Sequence, residues 1–298
     1  MTTTPELGPN PQRPAAATLD WKAGTIAVGK TRTGKTAAVR IHAQHRGAVH
    51  GMIHGSTGTG ISTLTRHLIT AEAASGHVDP WLADVVGDLG DLADQHTGYY
   101  APGIEEAAAM MRTLDRVLAL RTLDAYTDQD GRWTPDSPLP LLSVTVVGWD
   151  ILSSEVHEVI AIAERVAMLG RRVGIALRTV SHSPALDAIR SAMLRQALTG
   201  GTVVELPNRE PQRISALSPA GEDAPRLPIR SGLAYVTGTG AEVVQLWQPE
   251  DPADRPAAVL PSAIRAEDQA EHLGEAYLGW HGRLADRRAG KAVDVPKD

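Results

Sequence analysis

The stretch from His50 to Gly76, HGMIHGSTGTGISTLTRHLITAEAASG, limits what this chain can fold into more than any other. A short apolar segment, Met52-Ile53, runs into a glycine-rich turn, and the turn runs into an amphipathic helix. Ile61, Leu64, Leu68 and Ala71 recur at helical spacing, and Gly76 stands where a helix-ending glycine belongs. Strand, glycine loop and helix form the context that a phosphate-binding loop requires. Gly55-Ser-Thr-Gly-Thr-Gly60-Ile61-Ser62 fits the G-x-x-x-x-G-K-[ST] frame at every fixed position except the lysine, which is Ile61.

In such a loop, glycines allow successive backbone N–H groups to turn inward around a phosphate, at the positive end of a helix. Gly55, Ser56, Thr57, Gly58, Thr59, Gly60, Ile61, Ser62 and Thr63 are therefore the candidate nucleotide cradle. The hydroxyl of Ser62 or Thr63 is the candidate magnesium contact. The missing lysine would reach the β- and γ-phosphates and offset their charge, which an isoleucine cannot do. A turn that never meets phosphate is the competing reading. A second stretch, Gly29-Lys-Thr-Arg-Thr-Gly34-Lys35-Thr36, matches the full pattern. Its flanks, Thr25–Val28 and Ala37–Ile41, are matching apolar runs around a polar turn, which predicts a β-hairpin. A short helix over Ala37–Gln44 is the weaker alternative.

The chain has 298 residues, enough to bury one α/β core with modest extensions. Its net charge of −6 rules out a uniformly basic nucleic-acid coat, so any DNA contact must come from local patches or an assembled ring. With no cysteine there is no disulfide, Cys-zinc site or catalytic thiol. No lysine lies between Lys35 and Lys291, so a phosphate-facing cation inside the main domain must be an arginine, such as Arg66. Residues 1–20 are rich in Thr, Pro and Ala and are expected to be a disordered tail. No apolar run reaches transmembrane length, so a soluble, cytoplasmic chain is expected, with any membrane association made through partners.

Strand candidates at 81–86, 141–147, 174–177 and 202–206 alternate with helix candidates at 104–123, 156–169 and 184–198. That alternation predicts a mainly parallel sheet covered by helices. Residues 232–236 and 243–247 predict a closing hairpin, so the main domain spans 21–248. A proline-rich linker and a polar helix fill 249–298. Asp150, just past the 141–147 strand, is the candidate magnesium-holding carboxylate, with helix capping as the alternative role. No second acid follows it, because the next residue is Ile151.

The order and wording of these segments resemble the motor domain of the FtsK/SpoIIIE family of DNA-pumping ATPases, over roughly Thr25–Trp247. His50–Gly60 is similar to the family's H-L-L-V-A-G-A-T-G-S-G, and Gly170-Arg171-Arg-Val-Gly-Ile-Ala-Leu177 resembles its G-R-x-x-G-I-H-L. Ser181-His182-Ser183-Pro184 stands where the family has T-Q-R-P, so His182 replaces a nucleotide-sensing glutamine. The family's D-E pair is matched by Asp150-Ile151, or by Val147-Gly148 if the strand is aligned from Pro140. The resemblance implies a RecA-like P-loop NTPase fold with an N-terminal and a C-terminal hairpin. It implies ATP and magnesium as cofactors, double-stranded DNA as partner, and a homo- or hetero-hexameric ring with a motor subunit. It further implies that Arg171 approaches a neighbouring subunit's site, although two adjacent arginines also serve as helix-end dipole partners. Loss of the lysine, the second acid and the glutamine together implies a degenerate site with weak or no turnover. The alternatives are an active translocase using Lys35 or Arg66 as its cation, and a non-enzymatic interaction module.

Overall fold

In a computed structural model, residues 19–127, 132–208, 232–237 and 242–247 are described. The chain opens with β1 (Leu19–Asp20), β2 (Thr25–Thr31) and β3 (Thr36–Arg40), followed by β4 (His42–Ala43), β5 (Gly47–Ala48) and β6 (Gly51–His54). Helix α1 (Ile61–Ala74) leads to β7 (Val78–Asp84), β8 (Tyr99–Pro102) and the long α2 (Gly103–Thr127). Then come β9 (Leu141–Val147), α3 (Trp149–Glu155), α4 (Glu158–Leu169) and β10 (Ile175–Ser181). Helices α5 (Leu186–Ile189) and α6 (Ala192–Thr199) precede β11 (Thr202–Glu205), β12 (Leu233–Val236) and β13 (Glu242–Leu246).

Eleven strands form one sheet in the order β1-β2-β13-β12-β11-β6-β10-β9-β7-β8, with β3 on the far side of β2. From β11 to β8 every pairing is parallel. The strands β9 and β10 are buried along their whole length, and β9 is almost entirely apolar or β-branched, as a parallel strand covered on both faces must be. The two hairpins add antiparallel strands at one side, with β13 bridging β12 to β2. The core centres on Trp81, Tyr99 and Trp149, with aliphatic side chains from the sheet and from α1, α2, α4 and α6.

Gly29 to Thr36 is a hairpin turn, as its symmetric flanks predict. Thr31 N–H donates to the Lys35 carbonyl (2.8 Å), and Gly34 turns the chain at φ 82°. The helical alternative for Ala37–Gln44 is overturned, since those residues enter β3 and β4. Leu19–Asp20, placed by composition in the tail, pair with Ile26 and Thr25. The rest of that tail, the proline-rich segment and the polar helix expected after it lie outside the described residues. The expected 184–198 helix is two helices. Arg190 takes φ 60°, and Ser191 then caps α6 by accepting the Leu194 N–H (3.0 Å). Strand β8 has no counterpart among the expected elements.

Candidate functional site

Strand β6 stops at His54, and the next six residues wrap the start of α1. Gly58 and Gly60 lie at φ 82° and 108°, a backbone region that side chains with a Cβ rarely enter. Gly55 is required for space instead, because a Cβ there would stand 2.7 Å from the Leu206 Cβ. Inside the loop, Thr59 Oγ1 donates to the Ser56 carbonyl (2.7 Å), and Leu64 N–H returns to the Gly60 carbonyl (2.9 Å). The first turn of α1 itself carries no acidic side chain, so the helix does not neutralise its own positive end.

The loop forms one wall of a cavity of about 400 Å3. Ser56, Thr57, Gly58, Gly60, Ile61, Ser62 and Thr63 line it, facing Val147, Gly148 and Asp150 across from β9 and Ser181 and His182 from the end of β10. Parallel strands end on the same side of a sheet, which is why segments so distant in sequence converge here. Val86 and Asp88 complete the lining from the loop after β7. Among the described residues no lysine or arginine lines this cavity, and two carboxylates do.

Asp150 is not at the end of its strand. β9 ends at Val147, Gly148 is the N-cap of α3, and Asp150 lies in the helix's first turn. It makes no side-chain cap bond, and its Oδ1 is buried without a hydrogen-bond partner. The strand-end positions are therefore Val147 and Gly148. Gly148 sits at φ 78°, and a Cβ there would come within 3.1 Å of Val85 and Val86. His182 does reach the loop: its Nδ1 lies 3.3 Å from the Gly55 carbonyl oxygen, a hydrogen bond in the tautomer protonated at Nδ1.

Arg171 is not brought to this cavity. It lies on the turn before β10, where its Nε donates to the Ala48 carbonyl (3.2 Å), at the opposite end of the parallel strands from the loop. Arg66 does not line the cavity either: its guanidinium holds both carboxylate oxygens of Asp91 (2.9 and 3.0 Å) and the carbonyl of the cavity-lining Asp88 (2.5 Å). That hydrogen bond to Asp91 is the main reason its guanidinium is held more firmly protonated than usual. Lys35 sits in the exposed β2–β3 turn, with three strands between β2 and β6.

Two site-building residues escape a reading of motifs. Asn208 accepts from Ser56 Oγ (3.1 Å) and donates to the His182 carbonyl (3.3 Å), tying the loop to the ends of β10 and β11. Asp84, buried at the end of β7, accepts the N–H groups of Gly87 and Leu89 and the hydroxyl of Tyr100 (2.8–3.1 Å). It thereby shapes the turn that carries Val86 and Asp88. The only signal for Asp84 is an acid ending an apolar strand; Asn208 has none beyond following Pro207.

Neither a family model nor a curated protein matches the chain. Solved structures do. EssC from Geobacillus thermodenitrificans (ATPases 2 and 3) superposes with a TM-score of 0.67 at 19% identity, over 84% of this chain and 49% of that one. EccC from Thermomonospora curvata (ATPases 2 and 3, in complex with a signal sequence peptide) gives 0.64 at 21%, over 93% and 53%. The pCW3 conjugation coupling protein TcpA, solved with ATPγS, gives 0.64 at 15%, over 81% and 70%. This is a P-loop ATPase fold. The chain spans about half the length of the EssC and EccC structures it matches. Among the described residues, no helix is long and apolar enough to cross a membrane.

Proposed function

We propose that the chain is a P-loop-fold subunit of a DNA- or protein-transfer machine whose own nucleotide site binds weakly and does not turn over. One observation carries this reading: the cavity keeps the phosphate-cradling backbone but has Ile61 where the loop needs its cation, and no described lysine or arginine takes over. The glycine loop and the start of α1 fit a phosphate group. Ser62 and Asp150, both on the cavity wall, are the residues that would hold a magnesium ion. What does not fit is the charge. A triphosphate would meet Asp88 and Asp150 with no lysine or arginine among the described lining residues, so the charge that spreads during phosphoryl transfer has little to offset it.

His182, which lines the cavity beside the loop, would contact a bound phosphate, and Arg171, at the opposite end of the strands, would serve a neighbouring subunit. That assigns the chain a ring with a motor subunit, or with itself, around double-stranded DNA. The fold likeness to a conjugation coupling protein and to secretion ATPases supports the transfer setting. The placement of Lys35 and Arg66 weighs against an active translocase built on either. The test is ATP binding and turnover with and without duplex DNA. Background turnover is expected in both, and Ile61→Lys should tighten nucleotide binding by about 1–3 kcal/mol without restoring turnover. DNA-stimulated turnover of the parent protein would sink the proposal.

A further inference from the structure

The end of the parallel strands opposite the phosphate loop, where β6 and β11 begin, holds a second hollow of about 370 Å3. Arg40, Arg46 and Arg171 line it together with His50, Gly200 and Thr202, and among the described residues no carboxylate is part of its walls. By liquid volume it has room for about ten waters, more than a pyrophosphate needs.

What distinguishes these three arginines is their grouping around one hollow, since Arg32, Arg116 and Arg195 also form no ion pair among the described residues. Arg66, Arg112, Arg165 and Arg178 each pair with a carboxylate, at Asp91, Glu158, Asp115 and Glu72. Arg40, Arg46 and Arg171 form no ion pair among the described residues. Arg40 Nη1 donates to the Ala23 carbonyl (3.2 Å) and Arg171 Nε to the Ala48 carbonyl (3.2 Å), bonds that fix each side chain while leaving further N–H groups unused. Arg46 is exposed on the tight β4–β5 turn, whose backbone is closed by its own N–H to the Ala43 carbonyl (2.9 Å).

Opposing this field are the last carbonyls of α6, which end at Gly200 and carry about half a negative charge between them. Three guanidiniums outweigh that. A protein of net charge −6 thus keeps three unpaired positive groups around one concavity, the geometry that recognises a polyvalent oxyanion.

We propose that this hollow is a phosphate-binding site, separate from the glycine loop, held by Arg40 and Arg46, with Arg171 as its third wall in a chain whose Arg171 is not engaged by a neighbouring subunit. It takes phosphate oxygens either from a nucleic-acid backbone or from a free polyphosphate. Its existence does not depend on what the glycine loop binds.

Calorimetry with inorganic pyrophosphate at low ionic strength tests it on the full chain. Binding is expected in the parent protein and in Gly60→Val, which obstructs the glycine loop. It should fall about tenfold or more in Arg40→Gln and in Arg46→Gln, and largely return in Arg46→Lys. Arg46 is exposed, so its variants report on charge and not on folding. No binding at millimolar pyrophosphate, binding indifferent to both glutamine variants, or binding lost in Gly60→Val would each overturn the proposal. A parallel titration with a short DNA duplex separates the two sources. Duplex binding with the same arginine dependence and a steep salt slope assigns the site to a nucleic-acid backbone. Pyrophosphate binding without duplex binding assigns it to free polyphosphate.

Discussion

At the scale of single residues, the chemistry of the cavity turns on positions where a glycine or an apolar side chain has a defined job. Gly60 sits at φ 108°, directly before the first residue of α1. A valine there would be strained in backbone and would stand between the loop and a phosphate. Gly60→Val is therefore expected to abolish whatever nucleotide affinity calorimetry detects in the parent protein, while leaving the far-UV spectrum unchanged. Gly148 is the more structural case. At φ 78°, with Val85 and Val86 within 3.1 Å of any Cβ, Gly148→Ala should lower stability by about 1–3 kcal/mol in denaturant unfolding. An unchanged midpoint would show that the strand end can relax, and that an acid at this position is sterically open to the fold.

At the scale of elements, α1 is anchored to the sheet by a buried charge pair. Arg178 on β10 donates Nη2 to Glu72 Oε1 (2.5 Å) and Nη1 to Thr145 on β9 (3.0 Å), with side-chain exposures of 8% for the arginine and 0% for the glutamate. Removing one partner leaves the other charge uncompensated, so Glu72→Ala should cost about 3–5 kcal/mol. Replacing both partners with apolar residues of similar volume should recover most of that loss, which a double-mutant cycle measures. A single substitution that costs nothing would mean that the guanidinium escapes to solvent. The turn after β7 depends on one carboxylate in the same way. Asp84→Ala frees two backbone N–H groups and the Tyr100 hydroxyl, so amide exchange at Gly87 and Leu89 should accelerate relative to the strand.

At the scale of the whole molecule, buried histidines and one buried carboxyl set the pH range of stability. Burial, aided by the charges of Arg171 and Arg195 respectively, lowers His50 to about 4 and His54 to about 3. Both are neutral when folded and take up protons when unfolded, so stability falls as pH drops below their ordinary value of 6.5. Glu205, beside His54 in strand register, is pushed the other way, up to about 7 by burial. Folded protein holds that proton more tightly, so stability declines as pH rises from about 4.5 to about 7 and then levels off. His42 is lowered by burial in the same direction, so with three histidines against one carboxyl the thermal midpoint is expected to peak near pH 6.5. Glu205→Gln should raise the midpoint at pH 8 and leave it nearly unchanged at pH 4; a uniform shift across that range would contradict the assignment.

Much of this architecture is legible in residue order alone, because its signals are local. The glycine spacing and the helical period after Ile61 place the loop between strand and helix. Matching apolar flanks make Gly29–Thr36 a hairpin despite its complete motif, and β9 shows in an unbroken apolar run. The helix over Ile104–Leu123 is likewise written in its periodicity, although α2 extends from Gly103 to Thr127. What tertiary structure decided is everything that depends on separation in space. Asp150 belongs to a helix turn and not to a strand end, because Gly148 takes a left-handed conformation that no apolar pattern encodes. Arg66 is spent on Asp91, 25 residues away, and Arg171 stands at the opposite end of the strands from the loop, as the parallel pairing of β6 and β10 places it. Asp84 and Asn208 act through hydrogen bonds to backbone groups, which leave no side-chain pattern in sequence. Local periodicity is carried by neighbours along the chain, whereas the charge of a cavity is a sum over residues that only folding brings together.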